Sequence, residues 1–197
     1  MRSQAPIETA GRPWSLTYAD ARAAGLSDRA LRALVDQGVL VRLGLGVYRR
    51  ADAPPADQER IEIALRAPAA TLCLVTALAQ HHLTDPIPDR IDVALPRSQR
   101  PPRVSARVHW RRFDEATYDI GRVEVMVDEG VRIGLYSPER CILDAFRLRH
   151  QTGEALAIKA LKRWLRRPDA LPATLLEMGR AFPKAEPSLR STLKVLL

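Results

Sequence analysis

The chain has 197 residues, with 31 Lys and Arg against 23 Asp and Glu and a net charge of +8, so it can build one large or two small cores and favours an anionic partner. Its longest weakly polar stretch, residues 67–79, is too short to span a bilayer, and Arg2-Ser3-Gln4 leads into Pro6 and Glu8 rather than an apolar run, so neither a membrane span nor a secretory signal is expected. Cys73 and Cys141 are far apart with no second Cys or His at metal-ligand spacing, so they read as reduced core thiols of a cytoplasmic protein.

Residues 1–14 are poorly patterned, with Ile7 and Trp14 expected to pack under the helices after them. From Thr17 to Arg50 the pattern is helix, tight turn, helix and a two-stranded ribbon. Thr17 caps a first helix, with Asp20 three residues on in the acidic form of a capping box. Gly25 sits where that helix ends, and Ser27 caps a second helix over residues 28–37. On the second helix Ala30, Leu31, Leu34 and Val35 share one side, while Asp28, Arg29, Arg32, Ala33 and Asp36 share the other, as in a half-buried helix. Gly38 stops it. Residues 39–43 and 47–50 are β-prone runs joined by the Gly44-Leu45-Gly46 tip. Two short helices across a tight turn, with a glycine-tipped basic hairpin after them, look like a winged helix-turn-helix, in which the second helix enters the major groove. An ordinary αα-hairpin with a solvated Arg face shares the spacing of the two helices.

Asp52-Ala53-Pro54-Pro55 stops both strand and helix, and a domain boundary is placed there, giving a winged helix-turn-helix domain over 1–55 and an α+β domain over 56–197. Residues 56–67 read as a surface helix and 71–83 as an apolar helix. Between 85 and 136 the period changes to two, with four short strands around 91–95, 104–110, 123–127 and 131–135, the last two joined through Asp128-Glu129-Gly130. Ser137-Pro138 is a cap followed by proline at the first helical position, and helices are expected near 138–150, 154–167, 172–182 and 187–197. Strands and helices in separate blocks, rather than in strict alternation, give a mixed α+β class with a small sheet.

Charge is clustered. Residues 97–112 hold six arginines, among them Arg97, Arg100, Arg103, Arg111 and Arg112, and no acid. On the helix at 154–167, Lys159, Lys162, Arg163 and Arg166 share one side. These residues form a second basic surface, for which the plainer alternative is a solvated helix face. Catalytic chemistry is missing from the sequence. None of the four lysines has Asp or Glu two residues before it, as a restriction-type nuclease centre needs, and no Gly-Ser nucleotidyltransferase turn, GxxxxGK[ST] loop, GxSxG elbow or HExxH occurs. Adjacent His81 and His82 point to different sides of a helix and cannot chelate one ion together. The expectation is a protein that is no enzyme and carries no metal or cofactor.

The order of features then resembles a known family. A winged helix closing in GVLVRLGLGVYRR, a middle helix TALAQHHL, a strand RIDVALPR and the run VRIGLYSPERCILDAFRLRHQTGEALAIKALKRWLRR are together similar to the AbiEi antitoxins, regulators of bacterial abortive-infection toxin–antitoxin pairs described as type IV. The likeness covers nearly the whole chain and is sharpest at Gly46-Val47-Tyr48-Arg49 and at Ser137-Pro138-Glu139-Arg140 through Asp144. Cys141 stands where this family often has Thr. The resemblance implies double-stranded promoter DNA with inverted repeats as one partner and a nucleotidyltransferase-like toxin as the other, bound directly or countered indirectly, in a role in phage defence. Asp28, Arg29, Arg32 and Ala33 are the candidates for the groove-facing helix. Thr17, Ser27, Arg42, Gly44, Arg49 and Arg50 are the candidates for phosphate or wing contacts, partly through backbone N–H groups at helix starts. Two other readings stand beside this one: a winged-helix transcription factor whose second domain senses a ligand or dimerises, and a protein–protein inhibitor that grips the toxin.

Overall fold

The computed structural model describes residues 13–85 and 88–197; Ile7 lies outside them. Strand β1 (Ser15–Thr17) runs into helix α1 (Tyr18–Ala23), and α2 (Asp28–Asp36) is followed by β2 (Leu40–Gly44) and β3 (Val47–Arg50). The three strands make one antiparallel sheet in the order β1-β3-β2. Both helix starts are capped as the sequence implies. The Thr17 hydroxyl accepts from the Asp20 N–H and the Asp20 carboxylate accepts from the Thr17 N–H, while Ser27 accepts from Ala30. Gly25 and Gly38 both end helices at positive φ, +81° and +71°, where a side chain would be strained. A small core of Ala21, Leu31 and Leu40, joined by Leu16, Leu26 and Leu34, holds this unit together. Strand β1 was not foreseen, because three residues are too few to show a period.

Helix α3 (Gln58–Arg66), capped by Asp57, packs against all three strands of the small sheet and against the larger sheet as well. Beyond it lie β4 (Thr71–Leu72), α4 (Leu74–Gln80), β5 (Ile91–Pro96), β6 (Val108–Phe113), α5 (Glu115–Tyr118), β7 (Arg122–Asp128) and β8 (Val131–Tyr136). The five strands form a mixed sheet in the order β6-β5-β4-β8-β7, with β4–β8 and β5–β6 parallel and the rest antiparallel. The expected helix at 71–83 is present as α4 but is shorter, and its first residues are corrected. Thr71 and Leu72 are a central strand buried on both faces, and such a strand has no alternation to betray it.

Helices α6 (Pro138–Arg147), α7 (Arg149–Thr152), α8 (Glu154–Leu165), α9 (Pro172–Gly179) and α10 (Glu186–Leu196) complete the chain. The α6 helix is the hub, packed on α4, α8, α9 and α10. The Ser137-Pro138-Glu139-Arg140 motif is a core device. Arg140 is wholly buried, donates from Nε to Asp144 at 3.0 Å and from Nη1 to the carbonyls of Thr117 and Ile120 at 2.6 Å each, and lies 4.1 Å from the Tyr136 ring centroid. A buried guanidinium is tolerated because a carboxylate, two carbonyls and an aromatic face replace its water. The architecture is mixed α+β, with two sheets of three and five strands and ten helices among the described residues.

Candidate nucleic-acid interface

Helix α2 presents the face the sequence implies. Leu31 is buried and Ala30, Leu34 and Val35 are half-buried, whereas Asp28, Arg29, Arg32 and Asp36 are exposed. Asp28, Arg29, Arg32, Ala33 and Asp36 line one shallow open surface. Among the described residues Arg29 and Arg32 have no ion-pair or hydrogen-bond partner, so both guanidinium groups are available to an incoming acceptor. Asp28 is different. Its carboxylate accepts from the Tyr18 hydroxyl at 2.7 Å and lies 3.8 Å from Arg22, and that hydrogen bond raises the Tyr18 phenol above its ordinary pKa. Tyr18 also ties α1 to the wing, since its N–H donates to the Gly46 carbonyl at 2.7 Å. Neither Tyr18 contact was foreseen; a lone tyrosine at a helix start carries no signal for a partner ten residues on.

The wing residues divide into open and committed ones. Ser27 and Arg42 are exposed, Ser27 at the start of α2 and Arg42 with its Nε donating to the Gly44 carbonyl at 3.1 Å. The Thr17 hydroxyl is occupied within its capping box, accepting from the Asp20 N–H at 3.1 Å and donating to the Asp20 carboxylate at 2.7 Å. Three candidate contacts are corrected. Gly44 is buried and lies against the Glu62 side chain of α3, so that a Cβ there would fall inside the carboxylate; its smallness serves packing. Arg50 donates to Asp52 at 2.9 Å and stacks 4.4 Å from the Trp14 ring, with 12% of its side chain exposed.

Arg49 is the third correction. Only 6% of its side chain is exposed. Its Nε and Nη2 donate to the two carboxylate oxygens of Asp128 at 3.1 and 3.3 Å, and Nη2 donates to the Pro54 carbonyl at 2.6 Å. Ser15 donates to the same Asp128 oxygen as Nε, at 2.5 Å. Burial works against the Asp128 charge, yet the bonds from Arg49 and Ser15 bring its carboxyl below the ordinary value of 3.8. Because Ser15 and Arg49 belong to the small sheet and Asp128 ends β7 of the large one, this triad is a seam between the two. It was hidden at the level of sequence, since the partners are 79 and 113 residues apart and Asp128 reads locally as a hairpin residue.

In the second basic surface, Lys159, Lys162, Arg163 and Arg166 do share one face of α8 and line a shallow cavity with Ala155 and Ile158. Lys159 and Arg163 are, however, clamped on Asp85 at 2.6 and 2.5 Å, and their hydrogen bonds hold the Asp85 carboxyl down to about 2. In the 97–112 segment, Arg97, Arg100 and Arg103 are exposed, and Arg112 donates to the Arg97 carbonyl. Arg111 turns inward to the buried Asp92 at 3.2 Å and reaches Gln151, which corrects its place on an open surface. Cys73 and Cys141 are free and buried, burial pushing both thiols well above their ordinary pKa. Among the described residues no group of His, Cys, Asp and Glu could hold a metal ion, and no helix is long and apolar enough to cross a membrane.

Comparison with known proteins bears on this geometry. Residues 16–51, from β1 through the wing, match the model of a family described as transcriptional regulator, AbiEi antitoxin. The match to that family covers the stretch from β1 through the wing. Nothing among curated proteins matches. Among solved structures, the chain is similar to the RV2827C protein from Mycobacterium tuberculosis at 20% identity and a TM-score of 0.56, over 92% of this chain and 73% of that one. At that identity the likeness establishes the fold alone.

Proposed function

We propose that this chain, whose N-terminal module matches that of the AbiEi antitoxin regulators, binds double-stranded DNA at its own promoter through α2 and the wing, represses transcription there, and acts as the antitoxin of a nucleotidyltransferase-like toxin. It does so by binding rather than by catalysis, in the cytoplasm. The observation that carries the DNA half is the pair of exposed guanidinium groups of Arg29 and Arg32, without partners among the described residues, on one open face of a capped, half-buried helix. Arginine at such a position can reach guanine O6 and N7 with two parallel hydrogen bonds. Ser27 and the first N–H groups of α2 fit a phosphate beside the groove, and the exposed Arg42 of the wing is the candidate for a further phosphate. The match over residues 16–51 supports the regulator reading and the antitoxin reading.

Two assays in cells test the two halves separately. A reporter driven by the DNA upstream of the gene is repressed by the parent chain and released by Arg29→Ala with Arg32→Ala. Co-expression with the gene product encoded beside it rescues growth. A reporter indifferent to both the parent and the double variant defeats the DNA half; growth arrest unrelieved by the parent defeats the antitoxin half.

A further inference from the structure

The connection from β5 to β6, residues 97–107, holds four arginines in eleven residues, and it is built unusually. The two strands are parallel, with Ile91 opposite Val108 and Pro96 opposite Phe113, so residues 97–107 must return along the full length of the strands. Such crossovers are ordinarily helical, which satisfies their backbone groups internally. This one is not helical, and its N–H groups need outside partners.

Glu62 of α3 supplies two of them. Its carboxylate accepts from the Ser105 N–H at 2.8 and 3.0 Å and from the Ala106 N–H at 3.0 Å, while the residue is 1% exposed. The same carboxylate is what packs against Gly44 at the end of wing strand β2. One buried carboxylate thus lies between the wing and the crossover, which brings Ser105 alongside Gly44. Arg103 and Arg107 flank Ser105 and Arg42 precedes Gly44 by two residues; all three are exposed. Arg103 and Arg107 have no ion-pair partner among the described residues, and no acid occurs in residues 97–112 to neutralise them.

We infer that Arg103 and Arg107 continue the wing into one phosphate-binding edge, and that Glu62 is the positioning residue that holds the crossover there. The inference rests on the reading of α2 and the wing as the DNA-binding element. Continuity with the wing is what favours a nucleic-acid backbone over an acidic protein surface. The contact is sequence-independent, because an arginine on a phosphate reads no base edge.

The test uses the full chain on duplexes from directly upstream of the gene, one long and one trimmed to the protected core. Arg103→Ala with Arg107→Ala is expected to flatten the slope of log affinity against log salt by about two, roughly 0.9 for each phosphate left without its arginine. Hydroxyl-radical protection disappears at the outer flank, the core stays protected, and parent and variant bind the trimmed duplex alike. Glu62→Gln blurs the same outer protection with its core protection intact; a merely structural role would instead weaken binding to both duplexes equally and so overturn the positioning assignment. Arg29→Ala with Arg32→Ala runs alongside. If that pair weakens binding while the Arg103 and Arg107 pair leaves slope and flank unchanged, the inference fails alone; if neither pair matters, the underlying reading has failed. DNA parameters unchanged, with co-purification of the toxin abolished, would make the crossover a protein surface and overturn the inference.

Discussion

Asp128→Asn should destabilise the protein far more than an ordinary change at a hairpin. The substitution removes a charge whose side chain is 5% exposed and whose two oxygens receive Arg49 at 3.1 and 3.3 Å and Ser15 at 2.5 Å. It leaves the Arg49 guanidinium buried with the Pro54 carbonyl and one uncharged amide oxygen as acceptors, and it replaces the other carboxylate oxygen with an NH2 group that cannot accept from Arg49 or Ser15. Breaking one partner of a buried pair costs about 3–5 kcal/mol, because the remaining charge keeps its desolvation penalty without compensation. For a chain of this length each kcal/mol shifts the midpoint by about 2–4 °C, so a fall of roughly 6–20 °C is expected. Urea unfolding monitored by circular dichroism gives the free energy, and hydrogen exchange locates the loss in β1 and β3. Replacing both charges, Arg49→Met with Asp128→Leu, should recover most of the stability, since an apolar pair carries no desolvation cost. The acid limb supplies a sign. The Asp128 carboxyl is depressed in the fold, so its stabilisation is present above about pH 4 and fades as pH falls through the folded-state value. The parent's advantage over Asp128→Asn must therefore shrink below about pH 4. A single-variant cost under about 1 kcal/mol, or strictly additive costs for the two replacements, would refute the seam as a coupled buried pair.

The same geometry sets three further outcomes. Gly44→Ala drives a Cβ into the Glu62 carboxylate and should cost about 1–3 kcal/mol by urea titration, with wing protection from exchange reduced. Asp85→Asn releases Lys159 and Arg163 from the anion that occupies them, so affinity for a non-specific duplex should rise and its salt dependence steepen; an unchanged titration leaves the α8 face as solvated charge. Cys73 and Cys141 should resist iodoacetamide in native buffer and react only after denaturation, as intact mass measurement would register, because burial disfavours the reactive thiolate.

Local signals were legible and long-range ones were not. Thr17, Ser27, Gly25 and Gly38 announce α1 and α2 because capping and positive φ are decided within four residues. The exposed face of α2 was likewise open to inspection, since the 3.6-residue period sorts its apolar and charged residues onto opposite sides. Strand β4 stayed hidden, because a strand covered on both faces has no alternation and reads as part of an apolar helix. Within the candidate site, charge was legible while its commitment was not. Arg42 and Arg49 stand in the same wing with the same residue type, yet β2 leaves one exposed and β3 turns the other into a buried seam. Which of the two happens depends on Asp128, a residue from the far side of the chain. The same holds for Lys159 and Arg163, whose face was foreseen and whose clamp on Asp85 was not.

Whether α2 reads DNA through Arg29 and Arg32 is decided by one equilibrium titration. The parent and the Arg29→Ala, Arg32→Ala variant are titrated onto a duplex from upstream of the gene and onto a scrambled duplex, at one physiological salt concentration. The parent should prefer its own sequence by a factor of about 10³ or more. Each arginine removed from a base edge should take away about 1–3 kcal/mol of that preference, leaving the variant near the scrambled level. A parent that binds both duplexes equally, or a variant that discriminates as the parent does, would remove α2 from base recognition.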